Sequence, residues 1–134
     1  MGLVVDTSVL IDAARKRLPL QQVVARLAGR GPLTISAVSL IEVAHGIGRA
    51  RTVEIERERR SFLAAVQDTF ATVPLYGASA IRAGLLDGEL TRLGFTIGLA
   101  DAAITATALM RGDGVATLNV RHFRLVSGLD VVEM

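Results

Sequence analysis

The chain contains no cysteine and no tryptophan, only three prolines, one tyrosine and four phenylalanines in 134 residues. Without cysteine there is no disulfide framework, no thiolate nucleophile and no sulfur ligand for a soft metal. That composition agrees with a reducing compartment. So few aromatic rings exclude an extended base-stacking surface for single-stranded nucleic acid. The longest charge-free stretch, Thr69 to Ile81, contains Pro74 and falls well short of the about 20 apolar residues a bilayer span needs. No membrane association is therefore expected. Met1 to Asp6 offers no basic n-region and Asp6 cuts the apolar run, so no secretory leader is expected and the expected location is cytoplasmic. Repeats, biased segments and linker-like runs are absent as well.

What the chain does contain is apolar bulk, 51% of residues, which excludes intrinsic disorder. The length suits one domain spanning residues 1–134, which would bury roughly two-thirds of its unfolded surface. Fifteen basic residues stand against thirteen acidic ones, a formal charge of +2. All the basic residues but Lys16 are arginine, whose planar fork pairs with phosphate or carboxylate at any working pH. A charge of +2 is no nucleic-acid signature in itself, so placement matters more than the total.

Leu3-Val4-Val5 is a short apolar run of the kind that forms a buried parallel strand. Asp6-Thr7-Ser8 follows as a set of helix-capping residues before Val9-Leu10-Ile11. Pro19 and Gly29 bracket a helix over Leu20 to Ala28. A strand is expected at Leu33 to Ile35, then helices over Ser36 to Arg49 and Val53 to Phe70. Ala71 to Val73 reads as a third strand, ended by Pro74. Ala78 to Leu93 carries Ile81, Leu85, Leu86, Leu90 and Leu93 near helical spacing, a candidate core stripe. Gly98 to Met110 reads as a small-residue helix, and Val115 to Leu118 and Val131-Val132 as the last strands. Strands alternating with helices predict a three-layer α/β/α fold around a mainly parallel, about five-stranded sheet.

Ligands of open α/β sheets gather outside the carboxyl ends of the strands. Asp6 and Asn119 fall just past two predicted strands. Glu42 lies one to two turns into the helix after the second strand, and Asp101 in the first turn of the helix before the fourth. Each has an ordinary reading: Asp6 as a helix cap, Asp101 as a favourable charge on a helix N-terminus, Glu42 as part of a solvated stripe with Ser39, His45 and Arg49, Asn119 as a turn residue. Asp101, however, is the one charge between Ile97 and Met110, and a buried carboxylate needs a partner. Carboxylates about 4 Å apart repel by roughly 4 kcal/mol per pair at an effective dielectric near 20. Three together call for a cation or a proton. Hard oxygen donors without cysteine favour Mg²⁺ or Mn²⁺ over zinc.

The segments Val4-Val5-Asp6-Thr7-Ser8-Val9-Leu10-Ile11, Ile35-Ser36-Ala37-Val38-Ser39-Leu40-Ile41-Glu42, Asp101-Ala102-Ala103-Ile104-Thr105-Ala106 and Ala116-Thr117-Leu118-Asn119-Val120-Arg121-His122-Phe123 resemble PIN-domain signatures. In order, spacing and length they are most similar to the VapC toxins of bacterial toxin–antitoxin pairs. The resemblance implies an endoribonuclease in which Asp6, Glu42 and Asp101 bind Mg²⁺ or Mn²⁺ and metal-activated water hydrolyses RNA phosphodiesters. It implies hydroxyl support from Thr7 and Ser8. The family's fourth acidic position is Asn119 here, so one negative charge is missing. It also implies a homodimer and a VapB-like antitoxin whose C-terminal segment brings a basic residue to the acids.

Other features carry less. Glu42-x-x-His45 resembles half of a di-iron motif, but no second copy exists. His45 is expected at a rim, and His122 in a structural role beside Phe123. Arg49, Arg51, Arg57, Arg59 and Arg60 alternate with Glu54, Glu56 and Glu58, as on a solvated face. The sharper reading is an RNA phosphate clamp centred on Arg49 and Arg51, with Arg15 and Lys16 on the same track. A phosphoacceptor receiver would want a late Lys, a dehalogenase-type phosphatase a second acid at position 8, and a dinucleotide fold a Gly-rich first turn. None is present. The remaining rival is a PIN fold that binds RNA or a partner without cutting.

Overall fold

The computed structural model describes all residues, 1–134. In chain order its elements are β1 (Leu3–Val5), α1 (Thr7–Arg15), α2 (Leu20–Arg26), β2 (Leu33–Ser36), α3 (Ala37–Gly48), α4 (Val53–Thr69), β3 (Ala71–Val73), α5 (Gly77–Arg92), α6 (Leu99–Arg111), β4 (Gly114–Thr117), α7 (Val120–Phe123) and β5 (Val131–Glu133). The strands form one sheet in the order β3-β2-β1-β4-β5, and every pairing is parallel. β1 lies in the middle, where both faces are covered, which is why Leu3-Val4-Val5 is apolar throughout. Leu3 and Val5 join Val9 and Leu10 of α1, Leu20 and Val23 of α2, and Val66 of α4. Val4 points the other way, onto Ile104, Ala108 and Phe123. Helices on both faces complete the expected three layers.

The chain builds β1, β2 and β3 outward on one side, then returns to place β4 and β5 on the other. The direction of winding therefore reverses between β1 and β4, and a crevice opens at their carboxyl ends. Asp6 follows β1 and Asn119 follows β4, so both stand at that crevice.

Three local expectations differ from the structure. α1 begins at Thr7, so Thr7 and Ser8 lie inside the helix rather than before it. α7 is a single short turn that the sequence did not announce. The stripe expected along α5 is split. α6 presents Ala102, Ala103 and Ala106, which lets α5 approach through Ala83 and Leu90, with Leu86 packed alongside. Ile81 and Leu85 lie two positions to either side of Ala83, on the opposite side of the helix, and are 67% and 70% exposed, with Leu93 exposed at 62%. No helix is long and apolar enough to cross a membrane.

Candidate active site

Asp6 occupies the N-cap position of α1 but makes no capping hydrogen bond. Its backbone N–H is held by Ala116 O at 2.9 Å, which fixes it against β4. The side chain is buried and one oxygen, Oδ2, accepts from Ser8 Oγ at 2.6 Å and from Thr117 Oγ1 at 2.7 Å. The side-chain cap reading fails: hydroxyls, not helix amides, hold the carboxylate.

Glu42 reaches the same crevice from α3. Thr7 Oγ1 donates to Glu42 Oε1 at 2.7 Å and is itself 2.7 Å from Ser39 Oγ. A hydroxyl has one hydrogen, so Ser39 donates to Thr7 and Thr7 to Glu42. Glu42 sits at the rim, yet partial burial pushes its carboxyl above the ordinary carboxylate range. The Thr7 hydrogen bond opposes that rise, and the charges of Asp6 and Asp101 add to it.

Asp101 projects from the first turn of α6. Its partner is His122, whose Nδ1 lies 2.7 Å from Asp101 Oδ2. His122, expected in a structural role beside Phe123, thus touches the candidate site through Asp101 without lining its cavity. The Asn119 amide approaches the same nitrogen at 3.0 Å. Asn119 Nδ2 also donates to Asp101 Oδ2 at 3.5 Å, so the amide nitrogen faces the Asp101–His122 pair. Burial again raises the Asp101 carboxyl, and the charge of Asp6 adds to the rise. The His122 hydrogen bond and charge pull the other way.

These groups line one cavity of about 400 Å³ that includes Asp6, Thr7, Ser8, Glu42, Asp101 and Asn119. Arg15 is the single cationic side chain on its wall, and Asp12 stands beside it. Three carboxylates and a neutral amide are hard oxygen donors, the set that Mg²⁺ and Mn²⁺ prefer. No three acidic or histidine side chains stand as a ready ligand ring, because Glu42 leans to Thr7 and Asp101 to His122. Asp6, Glu42, Asp101 and Asn119 are the groups on this wall that would hold such an ion.

A larger groove of about 1330 Å³ adjoins the acids between α1, α3 and α4, sharing Ile11, Arg15 and Glu42 with the first cavity. Arg49, Arg51, Arg57 and Arg59 line it, joined by Arg15 and Arg17. Lys16 does not; it pairs with Asp12 at 3.1 Å. Arg60 pairs with Glu56 at 3.3 Å along α4. His45 lines the groove, at the rim where it was expected.

Sequence reasoning missed the contacts that Thr117, Ser39 and His122 make with the site. Ser39 was visible as a helix-face neighbour of Glu42. A hydroxyl ending the otherwise apolar Val115-Ala116-Thr117 was the available sign for Thr117. His122 follows Asn119 by three, and only α7 turns it back onto Asp101.

A model of the PIN domain matches residues 3–129. Ribonuclease VapC10 of Mycobacterium tuberculosis is 36% identical over 127 residues, covering 95% of this chain and 90% of that protein. Ribonuclease VapC1 of Rickettsia felis is 29% identical over 132 residues, covering 98% and 96%. Among solved structures, VapBC2 from Rickettsia felis bound to a DNA fragment from its promoter matches with a TM-score of 0.85 at 20% identity, covering 100% of this chain and 99% of that one. With a family model spanning nearly all of the sequence, and the acids gathered at the switch point of a parallel sheet, the chain belongs to the PIN domain family, among its VapC-type members.

Proposed function

We propose that the chain is the ribonuclease toxin of a VapBC-type toxin–antitoxin pair, a Mg²⁺- or Mn²⁺-dependent endoribonuclease working as one domain. The observation that carries this reading is the meeting of Asp6, Glu42 and Asp101 on one cavity beside an arginine-lined groove. Relatives named Ribonuclease VapC support it. Asp6, Glu42 and Asp101 hold the ion, and Asn119 contributes a neutral carbonyl oxygen where a fourth charge is missing. When bound, the ion supplies positive charge to a phosphoryl oxygen and makes water a nucleophile at neutral pH. Thr7 and Ser8 orient Glu42 and Asp6. Arg49 and Arg51 hold RNA phosphates in the groove, and Arg15 stands where the groove meets the acids.

The same acids are a target for inhibition: a basic side chain from the antitoxin neutralises them in place of the ion. Ile81 and Leu85, exposed one turn apart on α5, suit a homodimer contact. A non-cutting RNA- or partner-binding role is the second reading, favoured by neutral Asn119 and by the tie between Asp101 and His122. RNA cleavage by purified, antitoxin-free protein separates the two. Cuts that need Mg²⁺ or Mn²⁺, stop with EDTA and vanish in Asp6→Asn establish the nuclease. Metal binding without cleavage over several structured RNAs would favour the binding role.

A further inference from the structure

We propose that Thr117 is a positioning residue that selects which oxygen of Asp6 is offered to the metal. The proposal rests on the reading of Asp6 as a ligand. Thr117 ends β4, is fully buried, and appears in no part of the function derived above. Its Oγ1 accepts from the backbone N–H of Asn119 at 2.8 Å and lies 2.7 Å from Asp6 Oδ2. Ser8 Oγ repeats the pattern, accepting from the N–H of Leu118 at 3.2 Å and lying 2.6 Å from the same Oδ2.

The direction of these bonds follows from hydrogen counting. Each hydroxyl has one hydrogen, and a backbone N–H already occupies a lone pair of each oxygen. The hydroxyl hydrogens are therefore directed at Oδ2. Two donors from different elements, α1 and β4, meet on one carboxylate oxygen, and successive amides of the turn after β4 back them. Oδ2 is engaged twice, whereas Oδ1 has no protein partner and is the oxygen left for an ion in the cavity. Thr117 also links the two sides of the winding reversal, so its bond sets the position of Asp6 relative to Asn119.

A valine at 117 has nearly the same shape and loses both hydrogen bonds; a serine keeps both. The test is Mn²⁺ affinity, read by electron paramagnetic resonance on the antitoxin-free protein, alongside thermal melting. Thr117→Val is expected to weaken Mn²⁺ binding by about 10- to 100-fold, the usual range for a residue supporting a ligand, and Thr117→Ser to restore wild-type affinity. Unchanged affinity in Thr117→Val overturns the proposal, and so does equal weakening in Thr117→Ser, which would mark a packing role. If Thr117→Val does not fold, Thr117→Ala removes the same hydroxyl with less bulk, and wild-type affinity there overturns the proposal equally. Asp6→Asn is the control. If it leaves Mn²⁺ binding intact, the ligand reading fails and the proposal falls with it. If it abolishes binding while Thr117→Val does not, only the proposal fails.

Discussion

Asp6, Glu42 and Asp101 are each anchored through one oxygen: to Ser8 and Thr117, to Thr7, and to His122 respectively. That arrangement orients three carboxylates without cancelling their charge, and the cost falls on the fold. Glu42 and Asp101 are both raised above the ordinary carboxylate range, chiefly by burial. A raised carboxyl means that the folded chain binds the proton more tightly than the unfolded one. Their stabilisation is thus complete at acid pH, below the unfolded values, and is lost as pH rises through the folded ones. In EDTA, Glu42→Gln is expected to melt higher than wild type at about pH 7, with the gap shrinking toward about pH 4 as Glu42 takes up its proton. A constant gap in melting curves across that range would count against the shift. Asp101→Asn is expected to abolish metal-dependent RNA cleavage while its far-ultraviolet circular dichroism stays that of wild type; retained turnover would remove Asp101 from the site.

At the scale of elements, the first turn of α6 is set by Gly98, whose φ of 88° and ψ of 158° fall in a region essentially restricted to glycine. Asp101 lies three residues on, so the direction of α6, and of this acid with it, depends on that backbone conformation. Gly98→Ala is expected to lose about 1–3 kcal/mol in urea unfolding, together with a fall in Mn²⁺ affinity. The groove between α1, α3 and α4 is the other element-scale feature. Its arginines were expected to alternate with glutamates on a solvated face, and Arg60 with Glu56 fits that pattern. Arg49, Arg51, Arg57 and Arg59 are exposed as well, along a groove that Glu58 also lines, with Arg59 donating to the Gly46 carbonyl. For Arg49→Ala or Arg51→Ala, RNA affinity measured on the Asp6→Asn background should fall, and the salt slope should shrink by about 1 for each phosphate no longer neutralised. An unchanged slope would show that the residue touches no phosphate.

For the molecule as a whole, the layer order separates surfaces with different chemistry. The acids open at the carboxyl edge of the sheet, the arginines between α1, α3 and α4, and the apolar side chains along the outer side of α5. Leu85 at 70% exposure and Ile81 at 67% are unusual for residues of their type on one helix side, and a second copy would cover them. The double substitution Ile81→Glu with Leu85→Glu is expected to convert a dimer to monomers in light scattering, without lowering the melting temperature of the fold. A wild-type monomer, or a dimer that survives the substitution, would place the contact elsewhere.

The alternation of short apolar runs with amphipathic stretches was enough to determine the α/β layers, the number of strands and most element bounds, because burial on both faces writes itself into local composition. Asp6, Glu42, Asp101 and Asn119 stood out as a set and not singly, since each has an ordinary structural use, and the fold brings all four onto one cavity. The sequence could not decide contacts between residues far apart in the chain. Thr117 meets Asp6, Ser39 meets Thr7, and His122 meets Asp101 across 111, 32 and 21 residues. The outward side of α5 was equally hidden, since Ile81 and Leu85 match helical periodicity as well as Leu86 and Leu90 do. Which of two apolar sides is buried depends on the neighbour, and here the alanines of α6 chose the side of Ala83. Periodicity is a property of one element; packing and hydrogen-bond direction belong to pairs, and only the tertiary structure brings the pairs together.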